Sequence, residues 1–590
     1  MKNLILSFWI LITGFGSLYA QQYPIVHSHN DYEQQIPFWQ AYAAGARSIE
    51  IDVFYKHKKL CVAHREDEIS ETRTLESLYL QPLKEAASLQ MLTNEPLQLL
   101  IDVKTDAHQT LKELVKVLAN YKALLAENTI KIIISGNQPS PKQFHNYPNF
   151  IQFDYQSLAP LTSAQWERVA MISLPYPNYA NWNGKGRFTE QDLQQVTQVI
   201  KKAQAYGKPF RFWGTPDSKS AWKAFVDLGV EVINTDQPFT CVNYIETLPK
   251  RIYKNEIFSK VYQPTYATDG EETAVKNIIL LIGDGNGLSQ ISASTLANGG
   301  ELSLTQLKHV GLIKTSSADD FTTDSAAAGT ALATGEKTYN RAIGVDVSGN
   351  KISSICEVLQ QRNFNTAVIT TDEITGATPS SFYAHQKDRG MTQAIASDLY
   401  ESELTLFAGG GKKYFEVEMP FQLVETPEAI SSSTAARVGY FMANAGVPSV
   451  LKGRGEQFPK VVEHSLKFLE KQKQPFFVMI EGAQIDKFGH FNEVGGIVSE
   501  GIDFDKAISR ALQFADTHPG TLVVITADHE TSGFSVPQGN LENHMIEGDF
   551  TTHDHTATMV PVFAYGPQAQ KFTGVYENNE IYHKILSLLN

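Results

Sequence analysis

Short apolar runs alternate with stretches of helical periodicity along most of the chain, in two successive blocks. In the first, from about residue 23 to 243, the runs fall at 48–54, 60–64, 99–103, 130–135, 150–153, 210–213 and 230–234. So many βα units before any long interruption predict a closed parallel barrel of the TIM (β/α)8 type over residues 21–246. The second block, 275–590, opens at 276–282 and continues with 366–370, 475–480, 521–526 and 560–565. These runs are almost continuously apolar, as in strands covered by helices on both faces, so an α/β/α sandwich is predicted. Most end in polar residues on their C-terminal side, where open α/β sheets place their sites. Between the blocks, residues 247–274 are polar and aperiodic, which predicts a linker.

The first residues follow another pattern. Lys2, an apolar core from Leu4 to Ile12, and Ser17-Leu18-Tyr19-Ala20 predict a signal peptide over residues 1–20, cleaved after Ala20. No cysteine directly follows that could carry a lipid, and no later segment has the roughly 20 apolar residues needed to cross a bilayer. A periplasmic or secreted protein without stable membrane insertion is expected. The length of 590 residues exceeds one core, in line with two domains. The net charge of -14 disfavours nucleic acid as a partner. Cys61, Cys241 and Cys356 make neither a disulfide framework nor a Cys-rich zinc site. A Cys61–Cys241 bridge and three buried thiols are the alternatives.

Chemistry concentrates in the second block. Thr322-Thr323-Asp324-Ser325-Ala326-Ala327-Ala328 puts a hydroxyl where a polar loop meets a small-residue helix. Free N–H groups at a helix mouth favour an anion there, so Ser325 is a candidate nucleophile. Around it lie Gly283-Asp284-Gly285, Thr378, Glu481-Gly482-Ala483-Gln484-Ile485-Asp486, His490, Asp528-His529 and His555, at or near predicted strand ends. Asp486 and His490 are one helical turn apart and point the same way. Carboxylates mixed with imidazoles, without thiolates, favour zinc in open catalytic sites. Carboxylate with hydroxyl oxygens favours magnesium.

From about Lys276 onward these motifs resemble the alkaline phosphatase family: Ile282-Gly283-Asp284-Gly285, Thr323-Asp324-Ser325-Ala326, Ala377-Thr378-Pro379, Glu481 to Lys487, Ala527-Asp528-His529 and His555-Thr556. The resemblance implies that Ser325 is the nucleophile. It implies one zinc on Asp486, His490 and His555, a second on Asp284, Asp528 and His529, and magnesium on Asp284, Thr378 and Glu481. Arg389, eleven residues after Thr378, falls where the family's phosphate-clamping arginine stands. Small-molecule phosphomonoesters would be cleaved through a phosphoserine, with net retention at phosphorus. Gly376 departs from the pattern: many relatives carry there an Asp or His that orders water around magnesium. The segments 390–480 and 530–554 are short for the family, which leaves the oligomeric state open.

The first block carries His27-Ser28-His29-Asn30-Asp31, Glu50-Ile51-Asp52, His64 and Asp102-Val103-Lys104. Glu50 and Asp52 alternate on one strand and face one side, which is costly inside a barrel unless a cation binds. His29 and His64 are a candidate general acid/base pair, Asp102 would complete the metal site, and Lys104 would offset phosphate charge. These motifs, with Phe210 to Pro216 and Gly229 to Pro238, resemble the glycerophosphodiester phosphodiesterase and phospholipase-C-like barrels. The spacing from His29 to His64 is also similar to sphingomyelinase D. The resemblance implies phosphodiester cleavage with one magnesium or calcium ion. Asn30 replaces an arginine of true glycerophosphodiesterases, and their Pro-Glu-Asn segment is absent, so the diester is open. The alternative is a non-catalytic barrel that binds lipid headgroups or glycans.

Overall fold

The structure, a computed structural model, describes residues 24–93, 95–125, 129–415 and 418–589. The predicted signal peptide lies outside the described residues. The chain divides into two units, Met1–Leu248 and Pro249–Asn590. Among the described residues no helix is long and apolar enough to cross a membrane. Cys61, Cys241 and Cys356 are all buried and free, so the second cysteine alternative is the one found.

Among the described residues the first unit has nine strands: β1 Ile25–Ser28, β2 Ser48–Lys56, β3 Lys59–Val62, β4 Leu97–Val103, β5 Ile130–Gly136, β6 Ile151–Tyr155, β7 Val169–Pro175, β8 Phe210–Trp213 and β9 Val232–Thr235. Eight are parallel staves in the order β1-β2-β4-β5-β6-β7-β8-β9, and the predicted barrel closes because β1 pairs with both β2 and β9. The run at 60–64 is not a stave. It begins β3, which folds back antiparallel on β2 across His57 and Lys58, both at positive φ. That backbone is the mark of a tight hairpin, whose twist suits the flanking strands. The apolar pattern also passed over β1 and β7. In β1 half the residues are polar, and His27 and Ser28 are nonetheless buried.

The barrel interior is layered by strand alternation. Leu100, Ile133, Met171 and Val232 pack together as one apolar layer. Two residues further along the same staves stand Asp102, Ser135, Ser173 and Asn234, on the same side as the apolar layer. The polar layer therefore lies one pleat nearer the C-terminal ends, where barrels of this type carry their chemistry.

The second unit is built on a ten-stranded sheet. Its order is Gln422–Val424, Val438–Phe441, Leu406–Gly410, Asn365–Glu373, Phe476–Gly482, Asn277–Gly283, Thr521–Ala527, Val560–Tyr565, His309–Lys314 and Gly574–Glu577. Alternate residues of the central strand feed two cores. Ile279 and Leu281 pack on one face, and Ile278, Leu280 and Ile282 on the other. Helices cover both, which gives the α/β/α sandwich.

The stretch expected as a linker is largely part of this second unit. Ile252–Lys254 pairs antiparallel with Met545–Asp549. Beyond it, Ser259 Oγ donates to Asp505 Oδ2 at 2.7 Å and Tyr262 OH to Asp516 Oδ2 at 2.6 Å. Such a segment is pinned by carboxylate acceptors on a helix rather than by its own apolar face, so it shows no periodicity.

That helix, Val494–Thr517, is fixed at its other end by charge. Arg454, Glu500 and Asp503 are all buried, and the Arg454 guanidinium donates to both carboxylates. Removing one partner of a buried ion group leaves the others unpaired, at a cost of about 3–5 kcal/mol. Arg454→Ala is expected to lower the unfolding free energy of the second unit by that amount, as measured by denaturant titration.

Candidate active site and metal centre

Three neighbouring strands end level with one another. Ile282 stands opposite both Glu481 and Thr526, and Gly283 opposite both Gly482 and Ala527. Their next residues therefore emerge at one edge. The central strand delivers Asp284, its one neighbour Asp528 and His529, and its other neighbour Glu481 and then Asp486. Close approach is possible because Gly285, at φ +67°, has no side chain. A Cβ there would sit 2.8 Å from Asp486 Cα.

Two groups of ligand atoms converge at this edge, each within 4.8 Å: Asp486, His490 and His555, and Asp284, Asp528 and His529. In the first, His490 Nε2 lies 3.3 Å from Asp486 Oδ2, His555 Nε2 3.4 Å from Asp486 Oδ1, and the two Nε2 atoms 3.2 Å apart. Carbonyls of His553 and Thr323 accept from Nδ1 of His490 and His555, at 2.5 and 2.8 Å. This leaves each Nε2 lone pair aimed at the shared centre. In the second, His529 Nε2 lies 3.2 Å from Asp528 Oδ2 and 3.4 Å from Asp284 Oδ1.

Ser325 is the first residue of the helix Ser325–Thr334. Asp324 caps that helix by accepting from Ala327 N–H at 3.0 Å. Ser325 Oγ stands 3.3 Å from His529 Nε2. Arg389 Nη1 donates to Asp324 Oδ2 at 3.0 Å. Burial works against Asp324, yet N–H bonds from Arg341 and Ala327, with the Arg389 charge, keep its carboxyl below the ordinary range. The structure thus brings Arg389 beside the candidate nucleophile.

The electrostatics are those of buried acids that raise one another, an arrangement that bound cations would offset. Burial, then the charges of Asp528, Asp486 and Glu481, push Asp284 well above the usual carboxylate range. Asp528 is pushed to about 6 by burial and Asp486, and Glu481 to about 8 by burial and Asp372. Asp486 goes the other way: burial opposes its charge, but hydrogen bonds from His490 and His555 hold it well below the ordinary value. Asp284 Oδ1, Asp528 Oδ2 and Thr378 Oγ1 are buried without a hydrogen-bond partner. Buried polar atoms are rarely left so unless a ligand completes them. The two trios fit a borderline-soft metal, and Asp284, Thr378 and Glu481 offer the oxygens a hard cation takes.

Several contributors escaped the sequence reading. Thr531 Oγ1 donates to Asp486 Oδ1 at 2.5 Å and lies 3.2 Å from His529 Nδ1. A threonine two residues after His529, on a strand turn, was its only signal. The carbonyls that orient the imidazoles have none.

A second acidic group lies in the barrel, where Glu50, Asp52 and Asp102 come within 4.8 Å. Arg211, read as part of a closing strand, points inward: its Nη1 is 2.7 Å from Glu50 Oε2. His27, also missed, lies 2.7 Å from the same oxygen. Burial raises Glu50, but Arg211 and His27 outweigh it and hold the carboxylate ionised. Burial, then Arg211, lowers His27 to about 4. Lys104 Nζ sits 3.0 Å from Asp52 and 3.3 Å from Asp102. Asp52 is pushed to about 6, mainly by burial, and its Oδ1 has no partner.

The two predicted histidines stand at the margin of this acid group. His29 Nδ1 is 2.7 Å from Asp236 Oδ1 and its Nε2 4.0 Å from Glu50. His64 Nδ1 is 3.1 Å from Tyr32 OH and 3.7 Å from Asp52.

An edge of this kind is suited to phosphoester hydrolysis, and comparison with known proteins puts the chain in that class. The profile of the alkaline phosphatase family matches residues 275–425, 421–546 and 536–590. Alkaline phosphatase 4 of Bacillus subtilis (strain 168) is 29% identical over 414 residues, covering 54% of this chain and 90% of that protein. The alkaline phosphatase of Escherichia coli (strain K12) is 28% identical over 404 residues, covering 53% and 86%. The solved alkaline phosphatase of the Antarctic bacterium TAB5 superposes with a TM-score of 0.51 and 43% identity, over 54% of this chain and 98% of that one. A variant of that enzyme has been solved with magnesium bound. The chain belongs to the alkaline phosphatase family. In its first unit, residues 18–94 match an AIM6-like phosphodiesterase domain and 209–238 the glycerophosphoryl diester phosphodiesterase family.

The uncompensated acids set a pH dependence for the metal-free protein. Glu481 rises from 4.5 to about 8 on folding, so its contribution to stability is complete below pH 4.5 and is lost as pH rises through 8. His490, raised from 6.5 to about 9 chiefly by its hydrogen bond to Asp486, acts in the same direction. His529, held low by burial and then by the His555 charge, opposes them only below pH 6.5. Chelator-treated protein is expected to lose thermal stability from about pH 7 to about pH 9, and added zinc and magnesium to flatten that slope. Melting curves across the range check it. A metal-free profile without slope contradicts the electrostatic account.

Proposed function

We propose that the second unit is a phosphomonoesterase acting on small-molecule substrates through a phosphoserine at Ser325. The observation that carries this is the 3.3 Å approach of Ser325 Oγ to His529 Nε2, which sets the hydroxyl against one ligand trio. Zinc on Asp486, His490 and His555, zinc on Asp284, Asp528 and His529, and magnesium on Asp284, Thr378 and Glu481 would lower the pKa of the hydroxyl and neutralise the leaving oxygen. Ser325 Oγ attacks phosphorus in line and the alcohol departs. Water then attacks the phosphoserine, releasing phosphate and restoring the serine. Two inversions give net retention. The N-terminal N–H groups of the serine's helix favour the phosphoryl oxygens. Arg389, anchored on Asp324, supplies a planar fork of donors for them. The pattern from Lys2 to Ala20 supports export to the periplasm or beyond.

The barrel is read as a phosphodiesterase. Glu50, Asp52, Asp102 and Asp154 face two fixed cations, Arg211 and Lys104, a balance that one magnesium or calcium ion completes. His29 and His64 flank the acids as the general acid and base. A diester cut on one side of phosphorus leaves a monoester, which is the substrate class of the second unit.

Ser325→Ala is expected to lower the phosphomonoesterase kcat by at least ~10³-fold while metal content stays unchanged. Turnover of p-nitrophenyl phosphate, with elemental analysis of the same sample, measures both. Near-parental turnover removes Ser325 from the mechanism.

The barrel needs a gentler change. Glu50→Ala would strand the buried Arg211 charge, so Asp52→Asn is the cleaner variant. In the Ser325→Ala background it is expected to abolish cleavage of bis-p-nitrophenyl phosphate. In the parent background it should leave monoester cleavage intact. If diester cleavage persists at the parent rate, the binding-module reading of the barrel takes over.

A further inference from the structure

The oxygen site of Asp284, Thr378 and Glu481 has a neighbour that no motif identifies. Gly376 caps the short turn Ala377–Ser380 that presents Thr378, and it has no side chain to contribute. The space above it is not empty. A Cβ built on Gly376 would lie 2.3 Å from Asp372 Oδ2 and 3.1 Å from Asp372 Cγ. The Asp372 carboxylate therefore occupies the position that a side chain at 376 would take, and it would have to turn away to admit one.

The strand that carries Asp372 also serves Glu481. On Asn365–Glu373, Thr370 stands opposite Glu481 in the parallel ladder and donates its Oγ1 hydrogen to Glu481 Oε2. Asp372 comes two residues later, where the strand gives way to the loop leading to Thr378. By strand alternation Asp372 faces the same side of the sheet as Thr370, and so the same side as Glu481. Carboxylates that face one another across adjacent strands repel unless a cation lies near both. Thr378 Oγ1, 1% exposed and without a partner, opens into the same site. Two carboxylates, Asp284 and Glu481, and the Thr378 hydroxyl make a hard oxygen set, and magnesium takes such sets while keeping several waters.

We propose that Asp372 is a positioning residue of the magnesium site, holding the water shell of a cation bound by Asp284, Thr378 and Glu481 from the place left free by Gly376. This rests on the phosphatase reading of the second unit and adds a residue to it. Asp372 touches neither the phosphoryl group nor Ser325 in this account. Its effect is on the cation.

The test is magnesium binding by zinc-loaded full-length protein, read by titration calorimetry, with zinc counted by elemental analysis and melting recorded after chelation. Asp372→Asn and Asp372→Ala are expected to weaken magnesium binding by about 10- to 100-fold, the usual effect of losing an outer partner of a metal site. Zinc content should match the parent, and the metal-free melting temperature should not fall. Magnesium affinity within twofold of the parent in both variants overturns the proposal. So does a parallel loss of zinc or of metal-free stability, which would give Asp372 a structural role alone. A parent that binds no magnesium overturns both this inference and the oxygen site on which it rests.

Discussion

Uncompensated negative charge at the C-terminal edge of the second sheet is the constraint around which that unit is organised. Asp284, Glu481 and Asp528 are buried together, and Asp486 lies close by. The ion-pair partners of Asp284, Asp486 and Asp528 are histidines, not lysines or arginines. Burying several carboxylates without fixed cations is among the least favourable arrangements a chain can adopt. It is tolerated because divalent cations relieve it on binding. Much of the local architecture keeps these groups from relaxing away: level strand ends, a glycine that admits Asp486, and carbonyls that lock the imidazoles.

The barrel meets the same problem with different means. Its inward acids are partly neutralised by the chain's own cations, Arg211 on Glu50 and Lys104 on Asp52 and Asp102. Less negative charge is left over there than at the edge of the second sheet. Built-in cations also mean that single deletions disturb more than the metal. Removing Glu50 strips Arg211 of its nearest carboxylate, whereas Asp52 is shared among Lys104, Tyr32 and His64.

Arg389 and Asp372 illustrate how side chains reach these centres from a distance in sequence. Arg389 reaches Ser325 through Asp324, which also caps the nucleophile's helix. One carboxylate thus orients both the helix mouth and the guanidinium. Asp372 lies where a side chain at Gly376 would stand. In both cases a residue acts through the space or the charge of another.

What the sequence by itself determined were the two-block α/β organisation, the barrel and the groups of acids and imidazoles at strand ends. These are legible because burial forces continuous apolar runs and because ligands cluster where such runs stop. Elements with polar interiors were not legible: β1 was hidden by His27 and Ser28, and residues 252–266 were hidden by their dependence on Asp505 and Asp516. Only the tertiary structure decided that run 60–64 is a hairpin arm rather than a stave, that Arg211 turns inward to Glu50, and that Asp372 fills the void over Gly376. The physical reason is the same in each case. Apolar burial acts along a strand and leaves a periodic trace, whereas charge pairing and excluded volume join residues that the fold alone brings together.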